Sequence, residues 1–138
     1  MKRIIVVCLV SFLALAGKAS AANMVSPDTF KQWIDGNKPV TVVDIQPAGE
    51  YEAHHFKGSI ETNAFPAKDD EEKKKLDKVL TAIKASKDDV VIICPRGRSG
   101  ASNAYYHLKS QGVDEKRLFI LEGGMQDWPY KDMLVKGR

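Results

Sequence analysis

Three short runs of apolar, mostly β-branched residues stand out along the chain after its first 25 residues. They are Val40–Val43, Val90–Ile93 and Leu118–Leu121. Runs of this length and composition are typical of strands that are buried on both faces of a sheet. The pattern therefore predicts three central strands.

The segments between these runs carry apolar residues at helical spacing. Ser26-Pro27-Asp28 begins one helix with a capping hydroxyl, a proline suited to the first turn and an acid near the positive end of the helix dipole. Residues 69–86 show an apolar face with i, i+3, i+4 and i+7 spacing, and the same face recurs at Ala101, Ala104, Tyr105 and Leu108, before Gln111-Gly112. Strands that alternate with helices predict an α/β fold, a central parallel sheet with helices on both faces.

The first residues follow the pattern of a secretory signal peptide. Lys2 and Arg3 precede the apolar run Ile4–Ala16, and Ala19-Ser20-Ala21 supplies small residues for a signal peptidase. We expect cleavage after Ala21, so that residues 1–21 are removed and residues 22–138 form a single domain. This style of signal suggests export, to a bacterial periplasm in the first instance.

Removal of the signal peptide changes both the charge and the cysteine count. Taking 21 residues from 138 leaves 117, and Lys2, Arg3 and Lys18 leave with them, so that 18 bases face 18 acids. The balance gives no reason to expect nucleic acid or an anionic membrane as a partner. Cys8 is also lost, and Cys94 alone remains. A lone cysteine is a buried inert residue, an intermolecular crosslink or a working thiol.

The stretch VVIICPRGRSGAS places Cys94 between the predicted strand and a helix that begins near Ser99 or Gly100. The short loop brings the backbone N–H groups of residues 96 to 100 near the sulfur. These amides, the helix N-terminus and the charges of Arg96 and Arg98 favour a thiolate, whereas burial opposes it, so the sequence leaves the sign of the pKa shift open. The arginines either hold the thiolate or recruit an anionic substrate, and we expect at least one to line the pocket.

At this point the chain resembles the rhodanese family of sulfurtransferases over nearly all of residues 22–138. Four segments carry the resemblance in order: SPDTFKQWI, VVDIQPAGEYEAHHFKGSIETNAFP, VVIICPRGRSGAS and LFILEGGMQDW. Each is weak alone, but their order and spacing are specific. The resemblance implies a rhodanese-like fold with five parallel strands.

The resemblance also implies the chemistry of sulfur transfer. Cys94 would accept a sulfane sulfur from an anionic donor, thiosulfate or polysulfide, and hold it as a persulfide until cyanide or a thiol removes it. A thiol protein is a further possible acceptor. Two positions depart from the common family pattern, since Gln46 and Ser99 stand where many members carry arginine. The amides that would cradle the persulfide are those of Arg96, Gly97, Arg98, Ser99 and Gly100.

Three further positions are expected near the pocket. His55 matches the family's turn histidine, and we predict a structural hydrogen-bonding role for it. Asp44 ends a predicted strand and is expected to fix a loop, with a pocket position as the alternative. Met125 follows the Gly-Gly turn and is a candidate pocket residue. No metal-ligand spacing is present, so we expect neither a metal nor a cofactor.

Three alternative functions are a cysteine phosphatase or arsenate reductase, a sulfur carrier and a redox isomerase. A cysteine phosphatase or arsenate reductase needs an arginine six positions after its cysteine to bind an oxyanion, and that position holds Gly100. A sulfur carrier would hold persulfide on Cys94 and pass it to a partner without fast turnover. The sequence does not separate a carrier from an enzyme, because both need the same loop. A redox isomerase is disfavoured, since no second cysteine remains.

Overall fold

A computed structural model describes residues 21–138. The predicted signal peptide, apart from Ala21, lies outside the described residues. The helices are α1 (Pro27–Asp35), α2 (Ala48–Ala53), α3 (Asp70–Ala85), α4 (Ser99–Ser110) and α5 (Gly124–Asp127), with short 3-10 helices at Glu115–Arg117 and Lys131–Met133. The strands are β1 (Met24–Val25), β2 (Val40–Asp44), β3 (His55–Phe56), β4 (Ile60–Glu61), β5 (Asp89–Ile93), β6 (Leu118–Leu121) and β7 (Leu134–Val135).

Five of these strands form one parallel sheet in the order β1-β6-β5-β2-β4. The three strands predicted from apolar runs are its centre, and the two-residue strands β1 and β4 are its edges. The prediction of a five-stranded parallel sheet is confirmed. β3 and β7 pair antiparallel in a separate two-stranded sheet.

Two layers of side chains cover the sheet, one on each face. Alternate residues of β5 point to opposite faces: Val90 and Ile92 join one cluster, and Val91 and Ile93 join the other. The first cluster contains the apolar faces of α3 and α4. The second contains Phe30 of α1, Met125 of α5 and Trp128, the residue that follows α5. The predicted cover of helices on both faces is therefore confirmed.

The helix starts follow from their capping residues. The hydroxyl of Ser26 accepts a hydrogen bond from the Thr29 amide at 3.2 Å. Asp69 and Glu72 form a reciprocal capping box, so α3 begins one residue later than the predicted range, with Asp69 as its N-cap. Within residues 21–138, none of the helices combines the length and apolar character that a membrane span requires.

The parallel register brings functional side chains to one edge of the sheet. Asp44 at the end of β2 pairs with Ile93 at the end of β5, and Cys94 follows directly. β6 ends two residues before the Gly123-Gly124 turn, at the same edge. This carboxyl edge is where open α/β sheets bind ligands.

Candidate functional site

Cys94 lies at the carboxyl end of β5 and is 1% exposed. Its Sγ accepts a hydrogen bond from the Gly97 amide at 2.7 Å. Its carbonyl oxygen accepts one from the Met125 amide at 2.8 Å. The residue is therefore held from both sides, by its own loop and by the turn that follows β6.

Two glycines allow that turn to pack against the Cys94 loop. Gly97 and Gly124 have φ angles of +68° and +62°, in the left-handed region that favours glycine. A Cβ on Gly97 would lie 2.7 Å from the Gly123 nitrogen, and a Cβ on Gly124 would lie 2.5 Å from the Gly97 nitrogen. The two backbones touch where any side chain would separate them, so the loop keeps its curl only with glycine at both positions.

Burial raises the pKa of the Cys94 thiol above its ordinary value and outweighs the groups that favour the thiolate. Those groups are the backbone N–H groups of Gly97, Arg96, Arg98 and Ala101, in falling order. Ala101 lies in the first turn of α4, one residue beyond the predicted amides. The sequence left the sign of this pKa shift open, and in the structure burial favours the protonated thiol near neutral pH.

A cavity of about 310 Å³ opens in front of the sulfur, and we call it the Cys94 cavity. Arg96 and Arg98 both line it, and both are exposed. The question of which arginine lines the pocket is therefore answered: both do. The other lining residues are Glu50, Phe65, Cys94, Pro95, Ser99 and Gly100.

A second cavity of about 520 Å³ lies beside the first, and we call it the adjoining cavity. The two share Glu50, Pro95 and Arg96 as lining residues. Met125, a predicted pocket candidate, lines the adjoining cavity and does not line the Cys94 cavity. The remaining lining residues are Gln46, Ala53, His54, Gln126 and Lys131.

Asp44 is buried and lines neither cavity. Its carboxylate accepts hydrogen bonds from the Gln46 amide at 2.8 Å and from Gln46 Nε2 at 3.0 Å. Gln46 Nε2 also donates to the His54 carbonyl oxygen at 3.0 Å, which ties β2 to the end of α2. Burial raises the pKa of Asp44 to about 7, because Gln46 offers hydrogen bonds but no compensating positive charge.

His55 also lies outside both cavities. Its Nδ1 is 2.9 Å from the Tyr51 carbonyl oxygen, so Nδ1–H is the donor. Its ring stacks on the Tyr51 ring, with centroids 4.1 Å apart and planes at 10°. Tyr51 in turn donates its hydroxyl to the Ser59 carbonyl oxygen at 3.1 Å. The histidine holds α2 to the following turn and has no contact with the sulfur site.

Sequence reasoning missed several residues that line the cavities, among them Glu50, Phe65 and Lys131. Glu50 could have been found, because it lies only six residues after Asp44, the last residue of β2. Phe65 and Lys131 carried no local signal, since tertiary packing alone brings them to the site. Among residues 21–138, no group of three or more His, Cys, Asp or Glu side chains is placed to bind a metal ion.

Comparisons with known proteins identify relatives of this chain. A Bacillus subtilis protein described as "Putative sulfur carrier protein YrkF" is 27% identical over an alignment of 125 residues that covers 87% of this chain. The chain spans 60% of the length of that curated relative.

Two solved structures show the same fold. A thiosulfate sulfurtransferase from Pseudomonas aeruginosa aligns with a TM-score of 0.60 and 19% identity, over 85% of this chain and 20% of that chain. An As-Sb reductase from Leishmania major aligns with a TM-score of 0.63 and 14% identity, over 84% of this chain and 86% of that chain. One fold therefore carries proteins with different names, and the fold alone does not select the reaction.

The family is shown by a direct match. Residues 26–131 match the family model described as Rhodanese-like domain, and they include the helix start at Ser26, the Cys94 loop and the turn after β6. The resemblance drawn from the four sequence segments is confirmed. The chain belongs to the rhodanese-like domain family.

Proposed function

We propose that the protein is a sulfurtransferase that moves a sulfane sulfur from an anionic donor to a thiophilic acceptor through a persulfide on Cys94. The observation that carries this proposal is the Cys94 sulfur on the floor of a small cavity, with the Gly97 amide 2.7 Å away. The amides of Arg96, Arg98 and Ala101 also act on that sulfur. Oriented amides of this kind stabilise negative charge on sulfur as an oxyanion hole does on oxygen.

Loading begins when the Cys94 thiol loses its proton to solvent. With thiosulfate as donor, the thiolate attacks the outer, sulfane sulfur, and the sulfur–sulfur bond of thiosulfate breaks. Sulfite leaves with the electron pair, and Cys94 carries a persulfide. With polysulfide as donor, the leaving group is the shortened polysulfide anion. Arg96 and Arg98, both exposed at the cavity, attract either anion.

In the discharge step, the acceptor is the nucleophile and the Cys94 sulfur is the leaving group. The acceptor attacks the outer sulfur of the persulfide, the bond to Sγ breaks, and the electron pair returns to Cys94. Cyanide leaves as thiocyanate, and a thiolate leaves as a persulfide anion. Neither step needs an added oxidant or reductant, because the sulfane sulfur keeps its oxidation state when one thiophile replaces another.

Gly100 supports sulfur chemistry over phosphate chemistry. It occupies the sixth position after Cys94, where oxyanion hydrolysis needs an arginine. Gly100 is buried, and a Cβ there would lie 2.8 Å from the Phe65 ring. An arginine at this position would have to displace the Phe65 ring, and the glycine present supplies no guanidinium group, so the loop lacks the bidentate clamp that binds a tetrahedral oxyanion.

The second candidate is a sulfur carrier that delivers sulfur to a partner protein, and the similarity to the Bacillus subtilis protein favours it. A carrier would load one sulfur for each chain and release it rapidly only to a protein thiol. The two functions differ in turnover with small molecules.

Steady-state turnover tests the proposal. Thiosulfate and cyanide are supplied together and thiocyanate is measured, with Cys94→Ser as the matched control. We expect many thiocyanate molecules per chain, none from Cys94→Ser and no hydrolysis of an aryl phosphate. Loading without repeated turnover would favour the carrier, and aryl phosphate hydrolysis would overturn the sulfurtransferase proposal.

We also propose that the protein is exported from the cytoplasm. The charged start, apolar run and small-residue motif of residues 1–21 support it. Expression of the full chain in a bacterium, followed by cell fractionation and N-terminal sequencing, is the test. We expect periplasmic protein that begins at Ala22, and uncleaved protein in the cytoplasm would contradict this part.

A further inference from the structure

A third cavity of about 310 Å³ lies on the surface formed by the start of α3 and the outer face of α4, and we call it the α3–α4 cavity. It shares no lining residue with the Cys94 cavity or the adjoining cavity, so the sulfur chemistry proposed above makes no use of it. Its volume is at the lower end of the range of about 300–1,000 Å³ that is typical of sites for small organic ligands. The lining residues are Lys68, Lys73, Asn103, Tyr106, His107 and Ser110.

The wall that α4 contributes is a polar stripe along the helix. It consists of Asn103, Tyr106, His107 and Ser110. Their spacing of i, i+3, i+4 and i+7 brings the four side chains to one side of the helix. Seven residues at a rise of 1.5 Å give the stripe a length of about 10 Å. The wall is therefore longer than a bare oxyanion and suits a ligand that has a body beside its charged group.

Two lysines supply positive charge to the cavity. Among residues 21–138, the ammonium groups of Lys68 and Lys73 make no hydrogen bond or ion pair. Asp77 lies four residues after Lys73, but its carboxylate is 3.0 Å from His107 Nε2 instead. The Glu72 carboxylate accepts a hydrogen bond from the Lys68 backbone amide at 2.7 Å. No carboxylate of the described residues lines the cavity, so the two lysines favour an anionic ligand.

Tyr106 supplies a flat aromatic surface to the cavity. The residue is 45% exposed. Its ring meets the Tyr105 ring edge to face, with centroids 5.2 Å apart and planes at 79°, so Tyr105 does not stack on it. Exposed aromatic side chains of this kind stack with the planar bases of nucleotides.

Asn103 and Ser110 supply hydrogen-bond acceptors. Asn103 Nδ2 donates to the Pro66 carbonyl oxygen at 3.1 Å, which fixes the carboxamide and leaves its Oδ1 as an acceptor. The Ser110 hydroxyl donates to the His107 carbonyl oxygen at 2.6 Å, and its oxygen keeps lone pairs that accept. Acceptors at the wall complement a ligand that carries hydroxyl groups, as a sugar does.

We propose that the α3–α4 cavity binds a mononucleotide, a ligand that combines a phosphate group, a hydroxylated sugar and a flat base. Lys68 and Lys73 hold the phosphate group, Asn103 and Ser110 accept hydrogen bonds from the sugar hydroxyls, and the base stacks on Tyr106. Binding includes no covalent step. This site is separate from the sulfur site and does not rest on the proposed function.

Three probes test the ligand class. The purified protein is titrated at constant ionic strength with adenosine monophosphate (AMP), with adenosine and with inorganic phosphate, and binding is followed by NMR. We expect saturable shifts at the backbone amides of Tyr106 and His107 with AMP. Adenosine lacks the phosphate and inorganic phosphate lacks the base, so both should bind more weakly than AMP, phosphate by at least about fivefold.

Two variants test the assigned contacts. We expect Lys73→Gln to raise the Kd of AMP about two- to fivefold and to leave the Kd of adenosine unchanged. Tyr106→Leu should raise the Kd of both AMP and adenosine by about fivefold or more and leave the Kd of inorganic phosphate unchanged. Lys84→Gln is the matched control, because Lys84 is an exposed lysine in the last turn of α3 that does not line the cavity. It should bind AMP as the wild type does.

The contradicting outcomes are distinct. The absence of saturable shifts with AMP overturns the site. Equal weakening by Lys73→Gln and Lys84→Gln also overturns it, because the effect would then be one of overall charge. Inorganic phosphate that binds as tightly as AMP overturns the mononucleotide as the ligand. No sulfur donor is present in these titrations, so failure of the site leaves the proposed function intact, and a protein that forms no persulfide can still bind AMP.

Discussion

The α-carbon of Gly124 faces the carbonyl oxygen of Cys94 so closely that a Cβ would lie 2.4 Å from that oxygen. The turn after β6 is therefore part of the sulfur site. We predict that Gly124→Ala lowers the free energy of unfolding by about 2–5 kcal/mol, through left-handed strain and overpacking. We expect sulfur transfer to fall more than tenfold, because the loop amides no longer converge on the sulfur.

Gly58→Ala is the matched control for that variant. Gly58 has a φ of +80°, and a Cβ at this position would meet no other group within 4 Å. Gly58→Ala should lower the free energy of unfolding by about 1–2 kcal/mol, because alanine disfavours the left-handed backbone conformation. It introduces no steric clash. Urea unfolding and thiocyanate formation are measured for both variants. Equal losses in the two would show that the contact between Gly124 and Cys94 does not matter.

Asp44 gives the stability of the protein a distinct pH dependence. Its pKa is raised by burial to about 7, from an ordinary value of 3.8. The stabilisation from the protonated carboxyl is fully present below about 4 and is lost as the pH rises through about 7. The wild type should lose on the order of 4 kcal/mol relative to Asp44→Asn across this window, as an upper value.

Urea unfolding of the wild type and Asp44→Asn from pH 4 to pH 8 measures this difference. The other carboxyl groups titrate in both proteins, so the difference reports Asp44 together with its coulombic coupling to Glu61 and Glu50. A difference in unfolding free energy that stays constant with pH, or that favours the wild type as pH rises, would contradict the claim that burial raises the pKa of Asp44.

The Cys94 thiol should be largely protonated at neutral pH, because burial raises its pKa. We predict that alkylation by iodoacetamide, followed by mass spectrometry of the Cys94 peptide, accelerates as the pH rises from 7 to above 9. A rate that has already reached its plateau at pH 7 would mean that the loop amides outweigh burial in solution.

Arg96 and Arg98 should speed loading by anionic donors. We expect Arg96→Gln and Arg98→Gln each to slow persulfide formation from thiosulfate about two- to fivefold, the effect of one exposed charge of about 0.5–1 kcal/mol. High salt should shrink the effect, because the charges are exposed. Lys87→Gln removes an exposed charge just before β5, at the opposite edge of the sheet, and should change nothing. An equal slowing by this control would exclude a specific role for the arginines.

The central strands of the sheet and the cysteine loop were predictable from the sequence, but the short strands, including the two at the edges of the sheet, were not. β2, β5 and β6 are apolar runs of four or five residues, so pattern alone identifies them. β1, β3, β4 and β7 have two residues each and show no periodicity, since they exist only through pairing with neighbours. Only the family resemblance supplied the two edge strands.

The site divides in the same way. The strand–loop–helix order placed Cys94 and its amides, because these contacts lie within a few residues of one another. Phe65 and Lys131 reach the cavities from distant parts of the chain, and no local pattern marks them. The sign of the Cys94 pKa shift depends on two opposing effects: burial raises the pKa, and the local amides lower it. Burial is set by packing along the whole edge of the sheet, so the sequence around Cys94 does not determine the sign.

Intact-protein mass spectrometry after exposure to thiosulfate, and separately to polysulfide, tests persulfide formation on Cys94 most directly. We predict a gain of one sulfur atom in the wild type, no gain in Cys94→Ser, and loss of the added mass on treatment with cyanide. A folded protein whose Cys94 thiol gains no sulfur from either donor would contradict the account.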